Sequence, residues 1–131
     1  MKALSIREPY ASQIMRGEKR IENRSWGEAV RGTIAVHRCG PDGAIIGTVD
    51  VVDVIGAAVA LRQFPEQAPF IFGPLCWVLR NPRRLPAPIP CKGRLSLWEC
   101  SAFLPHETPV VPTPPESAGT STPPLETPPV A

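Results

Sequence analysis

Aromatic residues are scarce in this chain: three Trp, one Tyr and four Phe among 131 residues. Histidine is scarcer still, at two, and only His37 lies outside the final stretch. The four cysteines, Cys39, Cys76, Cys91 and Cys100, form no Cys-x-x-Cys pair, and no histidine pair follows at finger spacing. Pro90-Cys91 lacks both the second cysteine and the His-x-Glu of a zinc deaminase. No metal site is therefore expected. A glycine-rich phosphate loop, a Gly-x-Ser-x-Gly elbow and a dinucleotide fingerprint are also missing, so no cofactor is expected.

Uninterrupted hydrophobic runs are missing too. The amino-terminal MKALSIREPYAS has no apolar stretch of leader length and no cleavage signal. Residues 43–61 are rich in Val and Ile, but Asp50 and Asp53 sit near the middle. Each would cost roughly 2.5–3.5 kcal/mol at a bilayer centre, so a buried strand is the better reading and no membrane partner is expected. Reduced, mostly buried cysteines in a cytoplasmic protein follow.

Proline, by contrast, is plentiful and unevenly placed. Of 18, nine fall between Pro9 and Pro90 and nine within residues 105–131. That last segment has no aromatic residue, no Lys and no Arg. It cannot offset its ordering entropy, so a disordered or polyproline-like tail is expected at 105–131, with a protein partner as one use for it. Residues 1–104 then form one domain with one core. They hold all 14 basic residues and 9 of the 12 acidic ones, a net of +5, which suits a polyanionic partner.

Periodicity supplies the elements. Residues 2–7 alternate as a strand with Leu4 and Ile6 on one face. Pro9 opens a short helix over 10–16, with Tyr10, Ile14 and Met15 as its apolar stripe and Gly17 as its cap. Strands follow over 31–39, with Ile34 and Val36 inward, and over 44–55, where adjacent Val51 and Val52 break the alternation and predict a bulge. A helical turn fits 57–63. A strand fits 70–80, a turn carries Arg80, Arg83 and Arg84 around Asn81-Pro82, and a last strand over 93–101 has Leu95 and Leu97 on one face. Five to six strands and a short N-terminal helix predict an α+β, mainly β fold: a small mixed β-barrel, closed or nearly so.

Chemistry concentrates in KRIENR, residues 19–24. If extended, Lys19, Ile21 and Asn23 share one side and Arg20, Glu22 and Arg24 the other; if it turns, Lys19 and Glu22 converge. Lys and Arg can fix a phosphate, Asn or Glu can read a base edge, and nearby Trp26 or Tyr10 can stack on a ring. Arg31 and Lys92 could extend this into a basic face, and Ser5 and Arg7 lie on the strand leading to the helix. His37 alone on a strand reads first as a structural residue. Asp50 and Asp53, three apart, fall on opposite faces unless the bulge intervenes.

The ordered blocks ALSIREPYASQIMRGEKRIENRSW, RGTIAVHR, AIIGTVDVVDV, FGPLCWVL and PIPCKGRLSLW resemble the ASCH domain family, of the small single-domain bacterial or phage type. The resemblance runs from Ala3 to about Trp98 and implies a PUA-like barrel with a cleft beside the first helix. Gly17, Lys19, Glu22 and Arg24 match the family's Gly-x-Lys-x-x-Glu-x-Arg segment. The family implies RNA or a modified nucleotide as partner. One branch deacetylates N4-acetylcytidine with Lys, Thr and Glu, and another is associated with ribonuclease activity. Glu22 stands where that first branch has its threonine, and a carboxylate is a poor nucleophile toward an acetyl amide. A hydrolase here would instead use Glu22 as general base and Lys19 to stabilise the developing anion.

Overall fold

The structure, a computed structural model, describes residues 1–101. The elements are β1 (Lys2–Ile6), α1 (Tyr10–Met15), β2 (Ile21–Arg24), β3 (Gly32–Arg38), β4 (Ala44–Gly56), α2 (Ala57–Gln63), a 3-10 segment (Pro65–Phe70), β5 (Leu75–Pro90) and β6 (Leu97–Glu99). The expected tail at 105–131 lies outside the described residues.

The six strands form one mixed sheet in the order β2-β5-β4-β3-β1-β6. Of these neighbours β1 and β3 run parallel and the others antiparallel. This is the anticipated mixed architecture with its short N-terminal helix, but the sheet is open. Among the described residues no ladder joins β2 to β6, so both are edges. A side chain spans the gap instead: Arg24, on β2, donates from Nη2 to the Ser5 carbonyl on β1 at 3.3 Å. We call this line between β2 and the β1–β6 pair the seam.

One face of the sheet packs around α1. Leu4, Ile6, Ile34, Val36, Ile46, Val49, Val51, Trp77 and Leu79 meet Ala11, Ile14 and Met15 of the helix. The buried helical stripe is thus Ala11–Ile14–Met15, at i, i+3 and i+4, while Tyr10 stays 39 % exposed at the helix start. The helix ends as its sequence suggests. Gly17 has φ +79°, its N–H bonds to the Ile14 carbonyl, and the Glu18 N–H bonds to that of Gln13. This paired return reverses the chain and delivers Lys19 to the start of β2. On the other face, α2 and the 3-10 segment cover Ile21, Cys76 and Val78. Trp98 and Cys100 cover Ala3, Ala35 and Ile45. All four cysteines are free. Among the described residues no helix is long and apolar enough to cross a membrane.

Three local readings meet the structure differently. The arginine cluster is not in a turn: β5 runs 16 residues straight through it, absorbing Asn81-Pro82 as an irregularity with Asn81 at φ +56°. The last strand is only three residues long, and Leu95 is 93 % exposed because Ser96, at φ +61°, breaks the alternation before it. The bulge near Val52 is present: Val51 faces Leu79 and Asp53 faces Val78, leaving Val52 unpaired and exposed. Two further shifts of the same ladder, at Ile45/Gly47 and Thr48/Asp50, curl the long β4–β5 pair.

The bulge brings the two aspartates to an effective spacing of two, opposite Arg80 and Val78, yet each keeps its own partners. Asp53 pairs with Arg31, whereas Asp50 accepts from Thr33 on β3 and from Asn81 and Arg83 on β5. Burial alone would raise the Asp50 pKa, but these three donors outweigh it and hold the carboxyl below its ordinary range. A lowered folded-state pKa means the carboxylate stabilises the fold above the unfolded value, and that contribution disappears as pH falls through the folded value. Asp50→Asn is therefore expected to cost about 1–3 kcal/mol at pH 7 by urea unfolding. The gap to wild type should close as pH drops below about 4, where the unfolded carboxyl protonates. An equal gap at pH 7 and pH 3 would contradict this account.

Candidate nucleic-acid interface

Both open alternatives for residues 19–24 are realised in part. Residues 21–24 are extended, so Glu22 and Arg24 share a side, and Lys19 folds back from the turn to join them. Glu22 Oε1 lies 3.3 Å from Lys19 Nζ, and Glu22 Oε2 lies 2.9 Å from Arg24 Nη2. The Lys19 side chain is only 4 % exposed, that of Glu22 10 % and that of Arg24 25 %. Lys19 Nζ also donates to the Ile21 carbonyl. Two rings flank the ammonium, Tyr10 at 5.6 Å and Phe70 at 5.4 Å to the centroids.

Two cations share one carboxylate, which leaves this chain of groups one positive charge in excess. Burial pushes the Lys19 pKa below the usual lysine value; Glu22 opposes that shift and Arg24 adds to it. Arg24 Nε is buried with no hydrogen-bond partner among the described residues, as is Gln13 Oε1. A half-buried excess cation beside an unpartnered donor is an arrangement that an anion would complete.

Other anticipated residues fall into two groups. Tyr10 flanks Lys19, Arg7 is exposed just before the helix, and Ser5 receives Arg24 through its carbonyl. Lys92 is exposed beside Gly93, where an added Cβ would come within 2.5 Å of Ser5 Oγ. Ser5 and Tyr10 border the seam, Lys92 is one residue from the Gly93–Ser5 contact, and Arg7 is two residues along the chain from Ser5. Asn23, Trp26 and Arg31 do not face it as free groups. The Asn23 amide donates to the Phe70 carbonyl at 2.8 Å and accepts from the Phe72 and Gly73 N–H groups at 2.9 and 3.1 Å. Trp26 packs edge-on against Trp77 at 5.2 Å, and its carbonyl accepts the Trp77 indole N–H. Arg31 lies beyond the far end of β3 from His37, the register partner of Ser5, and is held there by Asp53.

His37 is a structural hub, 2 % exposed. Its Nε2 donates to the Cys91 carbonyl at 2.8 Å, and its Nδ1 hydrogen-bonds with Ser5 Oγ at 3.1 Å. Trp98 Nε1 donates to the same hydroxyl at 3.2 Å. The hub ties β1, β3, β6 and the 91–93 loop together. Sequence reasoning missed Phe70 and Phe72; the aromatic pair beside Gly73-Pro74 was the available signal.

An open mixed sheet plugged by a short helix, with a Lys–Glu–Arg chain at its edge, is the architecture in which the resemblance can be checked. The ASCH domain profile matches residues 4–108, and the chain belongs to that family. It is 25 % identical over 130 aligned positions to Activating signal cointegrator 1 from Homo sapiens, and equally to the protein of that name from Mus musculus. The match covers 77 % of this chain but 22 % of each relative, so the chain spans about a fifth of their length. The crystal structure of ASCH from Zymomonas mobilis superposes with a TM-score of 0.59 at 16 % identity, covering 77 % of this chain and 88 % of that one. The crystal structure of a tyrosine-to-phenylalanine mutant of the same Zymomonas mobilis protein gives 0.53, also at 16 % identity, covering 68 % and 74 %. At this identity the structural likeness concerns the fold.

Proposed function

We propose that the chain is an RNA-binding ASCH domain that takes the nucleic-acid backbone along the seam. The observation that carries the reading is the excess positive charge of the buried Lys19–Glu22–Arg24 chain, with its orphaned Arg24 Nε. A phosphate against the exposed part of the Arg24 guanidinium would neutralise the excess. Arg7 and Lys92 would meet neighbouring phosphates, and Tyr10 offers a ring to a base. Asn23 and Trp26 support the site as scaffold, and Arg31 is too far along β3 to take part. Family membership and the net +5 of residues 1–104 agree with a polyanionic partner. A cytoplasmic setting suits the four free thiols, and a protein partner for the Pro-rich segment remains a separate proposal.

Fluorescence titration with a labelled RNA strand tests this. Affinity is expected to fall steeply with salt, because phosphate neutralisation releases counterions. Arg24→Gln should weaken binding about tenfold or more, the scale of one lost charged hydrogen bond. Protonated Lys19 is the form that favours an anion, so affinity should also fade as pH rises through its depressed pKa, earlier than for an ordinary lysine. Millimolar, salt-insensitive binding would end the reading.

A hydrolase is the second reading, favoured by the direct Lys19–Glu22 contact. It ranks behind because each Glu22 oxygen already holds a cation, and taking a proton would cost one of those pairs. Turnover of RNA or N4-acetylcytidine by wild type but not by Lys19→Ala would reverse the order.

A further inference from the structure

Phe72 is 75 % exposed, an unusual position for a large aromatic ring in a chain with few of them. The backbone that carries it is firmly held. Asn23 Oδ1 accepts from Phe72 N–H and Gly73 N–H, while Asn23 Nδ2 donates to the Phe70 carbonyl. Gly73, at φ +76°, makes the tight turn, and its Cα packs so close to α2 that an added Cβ would lie 2.9 Å from Ala57 Cβ. Ile71 between the two rings is extended, with φ −104° and ψ 111°, and its side chain is sunk in the core beneath α2. With Ile71 turned into the core, Phe72 leaves the extended segment toward solvent. Phe70 lies over the Lys19 ammonium, and Phe72, two residues on, is held through its N–H by Asn23, which stands between Glu22 and Arg24 on β2.

We propose that Phe72, with Phe70 and Tyr10 around Lys19, is a stacking platform for an unpaired nucleobase, so that the seam selects single-stranded over duplex RNA. This rests on the reading of the seam as an RNA interface. A base in a duplex has both faces covered by its neighbours, whereas an unpaired base can lay one face on an exposed ring. Because the loop is pinned through its own backbone, little additional order is needed when a base arrives. The nearby charges do not oppose an incoming strand: Glu66 is paired with Arg20 and Glu18 with Arg16.

The test uses the full chain, a labelled mixed-sequence RNA strand, and the same strand annealed to its complement. Phe72→Ala, at an exposed site, should leave the fold intact and weaken single-strand binding about 5- to 150-fold, the worth of one base–aromatic stack. The salt dependence should stay that of wild type, since no phosphate contact is removed. Phe72→Trp should keep affinity, and its added indole emission should be quenched as the strand binds. Salt-dependent binding by wild type that Phe72→Ala leaves unchanged would overturn the platform while sparing the seam, as would a preference for the duplex. Binding of neither strand by wild type would overturn both.

Discussion

Glu22→Gln is expected to destabilise the fold by about 3 kcal/mol, the low end of the range for breaking a buried ion pair from one side. The carboxylate sits between Lys19 and Arg24, and removing its charge leaves two cations facing each other near the edge of β2. Arg24 keeps some solvent contact, with its side chain 25 % exposed, which holds the loss to the low end. Adding Lys19→Met should recover part of it by removing the worse-solvated of the two cations. RNA affinity of the folded variant should rise at the same time, because the seam gains positive charge. Urea unfolding and a titration at one salt concentration measure both effects. A stability loss under about 1 kcal/mol would mean that the carboxylate is not a buried counterion, and weaker RNA binding would mean that it touches the ligand itself.

Trp77→Ala is the second large effect, with an expected loss of about 3–5 kcal/mol. Trp77 is fully buried, and among the described residues it is the largest of the completely enclosed side chains. Its ring meets Trp26 edge-on, its N–H is satisfied by the Trp26 carbonyl, and its backbone is the register partner of Glu22. Gly27 fits against it so closely that an added Cβ would lie 2.4 Å from Cζ2. The lost volume therefore lies directly behind the Lys–Glu–Arg chain, and thermal unfolding should show the loss as a large drop in midpoint. Trp77→Phe should fall between the two. A midpoint for Trp77→Ala within a few degrees of wild type would contradict the packing described here.

What could be read in the sequence follows from how local its physics is. The helix cap at Gly17, the inward pair Ile34 and Val36 and the bulge at Val52 each depend on neighbours within a few positions, and each is where the residue pattern puts it. The convergence of Lys19, Glu22 and Arg24 was legible for the same reason. The errors come from distant partners. Asn81-Pro82 has the composition of a turn, but pairing with the long β4 and the Asp50 carboxylate draws it into β5. Leu95 has strand periodicity on paper, yet Ser96 and the Ser5–His37–Trp98 hub fix the chain only from Leu97 onward. Asn23 resembles a base-reading amide until a loop almost fifty residues later claims its hydrogen-bonding capacity. No local pattern announces that kind of claim.

The pairing of β1 with β6 brings Lys2 opposite Glu99 and lets the Met1 amine reach the Glu99 carboxylate at 2.7 Å. The first and last strands of the described residues therefore adjoin. A host polypeptide could accommodate the domain as a loop insertion through two neighbouring attachment points, without stretching either flank. By the same geometry, a short tether between residues 1 and 101 would permit new termini to be opened elsewhere, for example in the exposed 40–42 turn, with the open sheet left whole.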